Sequence, residues 1–130
     1  LAKVKRILVP VAGKGGHVEL RARLLTSLLR SAPREITFMK IFAESTAQDT
    51  VTKAEKSLAR FAREEIHQKA HILVEKNSNV TATITQQAQK NDLVILGLQR
   101  LNRKQKSFGS ITMQIARDTS CGIIIINKRG

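Results

Sequence analysis

Five short apolar runs, separated by segments with helical spacing, constrain the fold more than any other feature of the chain. The clearest are Asp-Leu-Val-Ile-Leu-Gly at residues 92–97 and Gly-Ile-Ile-Ile-Ile-Asn at residues 122–127. The continuous run at residues 92–97 is typical of a central parallel strand buried on both faces, and residues 122–127 are predicted to be the final strand. Three further runs, at residues 4–12, 35–43 and 71–75, are also predicted to be strands.

Between these runs, apolar side chains recur every three or four residues, which predicts amphipathic helices. The helices are predicted at residues 17–32, 51–69, 79–90 and 109–119. The predicted inward side chains are Leu20, Leu24, Leu25, Leu28 and Leu29 in the first helix, Ala54, Leu58, Phe61, Ala62 and Ile66 in the second, and Ile111, Ile115 and Ala116 in the fourth. Asp49 or Thr50 is expected to cap the second helix.

The elements therefore alternate strictly, as β-α-β-α-β-α-β-α-β, along 130 residues. Strict alternation favours a parallel sheet with helices on both faces, and right-handed crossovers then produce a doubly wound α/β fold. Because no linker, repeat or low-complexity tract divides the chain, residues 1–130 are expected to form one domain. The first residue is Leu rather than Met, which fits a domain excised from a longer protein.

Charge is the strongest compositional signal, since 23 Lys and Arg against 10 acidic residues give a net charge of +13. Such an excess attracts nucleic acid, phosphate-bearing ligands or an anionic membrane surface, although a solvated basic surface accounts for it equally well.

The single cysteine excludes an internal disulfide and suits a reducing compartment. No apolar run reaches the roughly 18 residues of a membrane span, and no secretory signal is recognisable. We expect a cytoplasmic location, either free or as the cytosolic domain of a membrane protein.

Two loops follow strands at the edge where open parallel sheets bind ligands. The first covers residues 9–16 and the second residues 97–110. The candidate ligand-binding residues in these loops are Val9, Pro10, Ala12, Gly13, Gly97, Arg100, Arg103, Gly109 and Ser110. No metal-binding or catalytic residue is assigned.

The second loop has the chemistry of an anion site. Residues 98–108 contain four cations and no acidic residue, and Gly109-Ser110 follow at the predicted start of a helix. Free backbone N–H groups and the helix dipole favour an anion there, and a serine hydroxyl can donate another hydrogen bond. The structural alternative is that Gly109 only relieves a turn and Ser110 is only a helix cap.

The first loop is glycine-rich but matches no phosphate motif well. Gly13, Gly15 and Gly16 lack the spacing of a dinucleotide fingerprint, and Lys14 is not followed by the Ser or Thr of a P-loop. Glu44, after the second strand, could imitate a ribose-binding acid or remain a solvated loop residue.

Both ends of the chain resemble the universal stress protein family. The resemblance rests on Lys-Arg-Ile-Leu-Val-Pro-Val at residues 5–11, on residues 92–97 with Gly109-Ser110, and on residues 120–126. It implies a fold of the adenine-nucleotide alpha-hydrolase-like, Rossmann-like type, with five parallel strands in the order 3-2-1-4-5. It also implies a homodimer that pairs through the last strand, Gly122–Asn127.

Nucleotide-binding members of that family carry Gly, two residues, Gly, nine residues, Gly, then Ser or Thr. Gly97 and Gly109-Ser110 match the ends of this pattern, but position 100 is Arg and the spacing is one residue short. Those members also have an Asp two residues after the first-strand proline, where this chain has Ala12. The resemblance therefore implies an altered nucleotide site, with ATP or AMP as candidate ligand and Arg100 or Arg103 as alternative phosphate contacts.

Residues 11–13 and 97–104 further resemble stress-protein domains appended to membrane transporters, including amino-acid permeases and chloride or cation antiporters. This resemblance makes a non-catalytic regulatory or ligand-sensing domain of a transporter the leading hypothesis. A free-standing ATP- or AMP-binding stress protein is the first alternative. A basic nucleic-acid-binding module is the second, although the chain lacks the aromatic platforms and recognition motifs of such modules.

No enzymatic constellation is recognisable. His67 and His71 are four residues apart, but the predicted helix ends between them, which argues against a helix-borne metal site. Cys121 precedes an apolar strand, and we expect a small buried residue rather than a nucleophile.

Overall fold

The computed structural model describes residues 3–11, 18–98 and 107–127. The strands are β1 (Arg6–Pro10), β2 (Glu35–Phe42), β3 (His71–Lys76), β4 (Leu93–Leu98) and β5 (Gly122–Asn127). The helices are α1 (Val18–Ser31), α2 (Gln48–Phe61, continued by a π-helical turn, Ala62–Ile66), α3 (Val80–Ala88) and α4 (Ser107–Asp118). The predicted alternation of elements is confirmed, with boundaries shifted by up to three residues when the π-helical turn is counted with α2.

All strand pairs are parallel, and the order in the sheet is β3-β2-β1-β4-β5. This confirms both the doubly wound architecture and the strand order that the family resemblance implied. Within the described residues, no helix is long and apolar enough to cross a bilayer.

Because successive side chains of a strand point to opposite faces, the sheet separates two hydrophobic cores. On one face, Val9 and Phe38 pack with Leu25 of α1 and with Ala62 of the turn after α2. On the other, Leu8, Met39, Val94 and Leu96 pack with Ile84 and Ala88 of α3 and Ile115 of α4. The burial of β4 on both faces explains why its sequence is apolar without alternation.

Helix α3 is short and rich in threonine, yet it has a buried face. Thr83, Ile84 and Thr85 are each about 5 % exposed. The threonine hydroxyls donate to backbone carbonyls one turn earlier, from Thr83 to Asn79 at 2.7 Å and from Thr85 to Thr81 at 2.8 Å. These bonds satisfy the hydroxyls, so threonine can occupy buried positions of the helix. The spacing of apolar residues in the sequence does not reveal such positions.

The cap predicted for α2 is wrong. The helix begins at Gln48, the cap position is Ala47, and no side chain caps it. Asp49 instead lies in the first turn, where its carboxylate interacts favourably with the helix dipole. The helix ends at Ile66, because His67 adopts the left-handed conformation, with φ of 58°.

Two expectations for α4 are also corrected. The helix begins at Ser107, two residues before the predicted start, so Ser110 is inside the first turn rather than the cap. Ala116 is exposed rather than inward. The inward side is marked by Ile115, which is fully buried, and Ala116 lies about 100° further around the helix.

Asp92 connects three strands at the amino edge of the sheet. Its Oδ2 accepts hydrogen bonds from the backbone N–H groups of Lys5 at 2.9 Å and Arg6 at 3.0 Å. Its own N–H donates to Arg6, and its carbonyl accepts from Gly122. The two backbone bonds to the carboxylate, aided by the charges of Arg6 and Lys5, lower the pKa of Asp92 below its ordinary value.

This lowered pKa predicts an acid-sensitive contribution to stability. Because the folded-state pKa lies below the unfolded value of 3.8, the contribution is complete above pH 3.8 and is lost as the pH falls through the folded-state pKa. Urea unfolding should show Asp92→Asn to be less stable than wild type by about 1 kcal/mol at neutral pH. The difference should shrink towards zero in strong acid. Asp118→Asn, which breaks only an exposed ion pair, is the control, and a difference at Asp92 that is independent of pH would contradict the assignment.

Candidate functional site at the carboxyl edge

The strand order places a topological switch point between β1 and β4. From β1 the chain proceeds outward to β2 and β3, whereas β4 lies on the other side of β1 and is followed outward by β5. Ligands of open parallel sheets bind at such a point, outside the carboxyl ends of the strands. The two loops selected from the sequence follow β1 and β4, so both leave the sheet at this point.

The end of β1 forms one wall of the switch point. Val9 is fully buried in the core against α1, so its side chain is structural. Pro10, also buried, is the last residue of the strand. The N–H of Val11 donates to the carbonyl of Met39 at 2.7 Å, which holds the departing chain against β2. Any ligand contact from Val9 must therefore come from its backbone.

The end of β4 and the start of α4 form the other wall. Gly97 lies in β4 and pairs with Ile126 of β5. Gly109 and Ser110 are the third and fourth residues of α4, and no acidic residue lies in its first turn. The N–H groups of the first three residues of an α-helix have no partner within the helix, so Gly109 belongs to the part of α4 that can bind an anion, and Ser110 follows it directly.

The other candidate residues, Ala12, Gly13, Arg100 and Arg103, lie outside the described residues. The structure therefore places Val9, Pro10, Gly97, Gly109 and Ser110 on the elements that border the switch point, and ligand binding by any of the nine residues stays a prediction.

Comparison with solved structures agrees with this fold over nearly the whole chain. A universal stress protein crystallised in complex with cAMP superimposes with a TM-score of 0.70 at 10 % identity, covering 97 % of this chain and 98 % of its own. The fold is that of the universal stress proteins. The Archaeoglobus fulgidus universal stress protein in complex with dAMP gives a TM-score of 0.67 at 15 % identity, covering 94 % and 97 % of the two chains.

A third structure with the universal stress fold comes from Burkholderia pseudomallei and gives a TM-score of 0.60 at 13 % identity, covering 95 % and 96 % of the two chains. The sequence itself matches no family model and no curated protein. At these identities the likeness defines the fold, which includes the doubly wound sheet and its switch point.

His67, His71 and Cys121 lie apart from the switch point. His67 follows the π-helical turn and His71 begins β3, so the two do not share a helix. In the described parts of the chain, no group of three or more His, Cys, Asp or Glu side chains is arranged to hold a metal ion. Cys121 is 8 % exposed, and burial, together with the charge of Asp92, raises the pKa of its thiol to about 11. The expectation of a buried cysteine is confirmed, and its thiol is protonated at neutral pH.

Sequence reasoning missed the polar cluster at the opposite, amino edge of the sheet. Arg34 is 6 % exposed, and its guanidinium donates to the carbonyls of Leu28 at 3.0 Å and Val4 at 2.8 Å and to the hydroxyl of Ser31 at 2.9 Å. The carbonyl of Arg34 accepts from Gln68 at 2.8 Å. The position of Arg34 between Pro33 and a strand was the available signal, but its contacts lie up to 34 residues away and no local pattern encodes them.

Proposed function

We propose that this domain binds an adenine nucleotide of the AMP type at the switch point and does so without catalysing its turnover. The observation that carries the proposal is the acid-free first turn of α4, which follows β4 at the carboxyl edge. The segment between β4 and α4, residues 99–106, contains four cations and no carboxylate. Such a helix start, next to cationic side chains, favours a phosphate group.

The nature of the base and sugar is inferred from proteins of the same fold. Two of them were crystallised with cAMP and dAMP, both adenine monophosphates. Ala12 and Arg100 replace the Asp and the second Gly of the family pattern, so base recognition and phosphate contact are expected to differ from those of ATP-binding members. We therefore favour a monophosphate, with Arg100 or Arg103 among its phosphate contacts.

Isothermal titration with AMP, cAMP, dAMP and ATP tests the proposal. Saturable binding is expected for the monophosphates, and Gly109→Asp should weaken it at least about tenfold because a carboxylate then faces the phosphate. Met113→Asp is the matched control, since it adds the same charge at an exposed position on the same helix. No binding of any of the four nucleotides would remove the nucleotide function, and release of phosphate or nucleoside on prolonged incubation would contradict the non-catalytic role.

We further propose that the domain is a homodimer that associates through β5. This strand is at one edge of the sheet, and Ile125 on it is 44 % exposed. An edge strand with exposed isoleucine favours pairing with a second copy. Light scattering should give twice the mass of the chain, and Ile125→Lys should yield a monomer. Val80→Lys, at a similarly exposed apolar residue on α3, should remain dimeric, and a wild-type monomer at high concentration would contradict the proposal.

The regulatory role follows from the same proposal, since a domain that binds a nucleotide without turnover can act as a sensor, and the cytoplasmic location stays a prediction from the sequence. Attachment to a membrane transporter stays a prediction from the sequence resemblance, and an anionic membrane surface stays a candidate partner because of the net charge of +13.

A further inference from the structure

A cleft of about 450 Å³ opens at the amino edge of the sheet, where β1 begins and the connection from α1 enters β2. It is lined by Lys5, Arg6, Pro33, Arg34 and Glu35. Its volume is within the range of small-molecule sites, which is about 300–1,000 Å³. Because the carboxyl ends of the strands are at the other edge of the sheet, this cleft is separate from the proposed nucleotide site.

The charges of the lining are strongly unequal. Lys5, Arg6 and Arg34 are cationic, and Glu35 is the one carboxylate among the lining residues. Glu35 lies 3.5 Å from the Nε of Arg6, but both side chains are more than 60 % exposed, so this ion pair is weak and can open. The carboxylate of Asp92, which is not in the lining, already accepts from the backbone N–H groups of Lys5 and Arg6.

The cleft has one cation whose position is fixed, on Arg34, and two cations on exposed side chains that can change conformation, on Lys5 and Arg6. The guanidinium of Arg34 is held by Leu28, Val4 and Ser31, so its charge cannot move away. The Lys5 and Arg6 side chains are exposed, while their backbones are fixed by Asp92 and, for Lys5, by the N–H of Glu35 at 2.8 Å. A cleft that contains one fixed guanidinium and two exposed cationic side chains is suited to hold an anion with several acceptor oxygens.

We propose that this cleft is a second anion site, which binds a phosphate group through the side chains of Lys5 and Arg6 above the fixed charge of Arg34. Three cations face Glu35 in the lining and Asp92 beside it, so one positive charge remains in excess, and the several donors of Lys5 and Arg6 suit the oxygens of a phosphate group. The phosphate can come from a free phosphate compound or from the headgroup of a phospholipid, because both present the same oxygens. The net charge of +13 increases the rate of encounter with either source.

Two binding measurements test the site on the whole chain. The first is calorimetric titration with inorganic phosphate, and the second is co-sedimentation with phosphatidylcholine vesicles with and without phosphatidic acid. Lys5→Ala and Arg6→Ala should each weaken binding about tenfold. Lys53→Ala and Lys56→Ala remove the same charge from exposed positions on α2 and should leave binding nearly unchanged. Thermal unfolding of each variant verifies that it is folded.

The outcomes distinguish a free phosphate compound from a phospholipid headgroup, and they distinguish binding in this cleft from binding elsewhere on the protein. Binding of inorganic phosphate without vesicle binding indicates a free phosphate ligand, whereas vesicle binding that inorganic phosphate displaces indicates a headgroup. The proposal is overturned if neither probe binds, or if the α2 variants lose as much affinity as the cleft variants, since this would mean general attraction by charge. It is also overturned if Gly109→Asp abolishes phosphate binding and Lys5→Ala does not, because the anion then occupies the carboxyl edge.

Discussion

Phe38→Ala is expected to lower the free energy of unfolding by about 3–5 kcal/mol, the largest loss from a single substitution that we predict. Phe38 is 1 % exposed and is the largest fully buried side chain described. Its ring meets the edge of Phe61 with centroids 5.6 Å apart and planes at 79°, a favourable arrangement that joins β2 to α2. Truncation removes this contact and leaves a cavity between the sheet and the helices.

Urea unfolding of Phe38→Ala and Phe42→Ala measures this effect with a control in the same strand. Phe42 has the same side chain four residues further along β2, but it is only half-buried and contacts Lys40, whose Nζ is 5.2 Å from the ring centroid. Phe42→Ala is expected to cost about 1 kcal/mol. Equal losses of free energy of unfolding at the two positions would mean that burial of Phe38 against Phe61 contributes no more than the half-buried Phe42.

Arg34→Ala is expected to lower the free energy of unfolding by about 2–4 kcal/mol and the midpoint temperature by about 10 °C. The guanidinium joins the end of α1 to the segment before β1, through Leu28 and Val4. Its removal leaves buried carbonyls without these donors, and water has poor access to replace them. The expected loss of stability is therefore larger than the loss from removing a charged side chain at the surface.

Arg34→Lys is the conservative test of this interpretation, because it keeps the charge but cannot direct donors to three acceptors at once. It should recover less than half of the lost stability in calorimetric unfolding. Arg30→Ala, at an exposed arginine in the last turn of α1, should change the midpoint temperature by no more than a degree or two. Full recovery by Arg34→Lys would assign the effect to charge rather than to the planar set of donors.

Elements whose residue pattern lies within a short stretch of the chain were predicted correctly. The run of β4 predicted a strand buried on both faces correctly, because such burial leaves no polar position to confuse the pattern. The four isoleucines of β5 predicted a strand correctly, but this strand lies at the edge of the sheet and Ile125 is 44 % exposed. The helices of the first crossovers were recognised from apolar side chains such as Leu25 and Leu28, which are indeed buried. Errors were confined to positions with weaker local signals, including the cap of α2 and the inward role of Ala116.

For the carboxyl-edge site, the sequence determined the chemistry, and the tertiary structure determined the location. The cations of residues 98–108 and the pair Gly109-Ser110 are visible in the chain, and hydrophobic alternation was sufficient to predict that they follow a parallel strand. Their position at a switch point required the strand order, which alternation alone leaves open and which came from the family resemblance before the fold confirmed it.

The amino edge was decided by tertiary structure alone. Asp92 bonds to the backbone of Lys5 and Arg6 across 86 or 87 residues, and Arg34 bonds to the carbonyl of Val4 across 30. Side chains that bond to backbone groups need no complementary residue type at the other end, so the sequence contains no pattern for such contacts. By itself, then, the sequence predicted a doubly wound basic domain and a candidate anion-binding loop, because apolar periodicity and charge are local properties. The fixed arginine, the acid-sensitive aspartate and the second cleft exist only after folding brings distant backbone groups to one edge of the sheet.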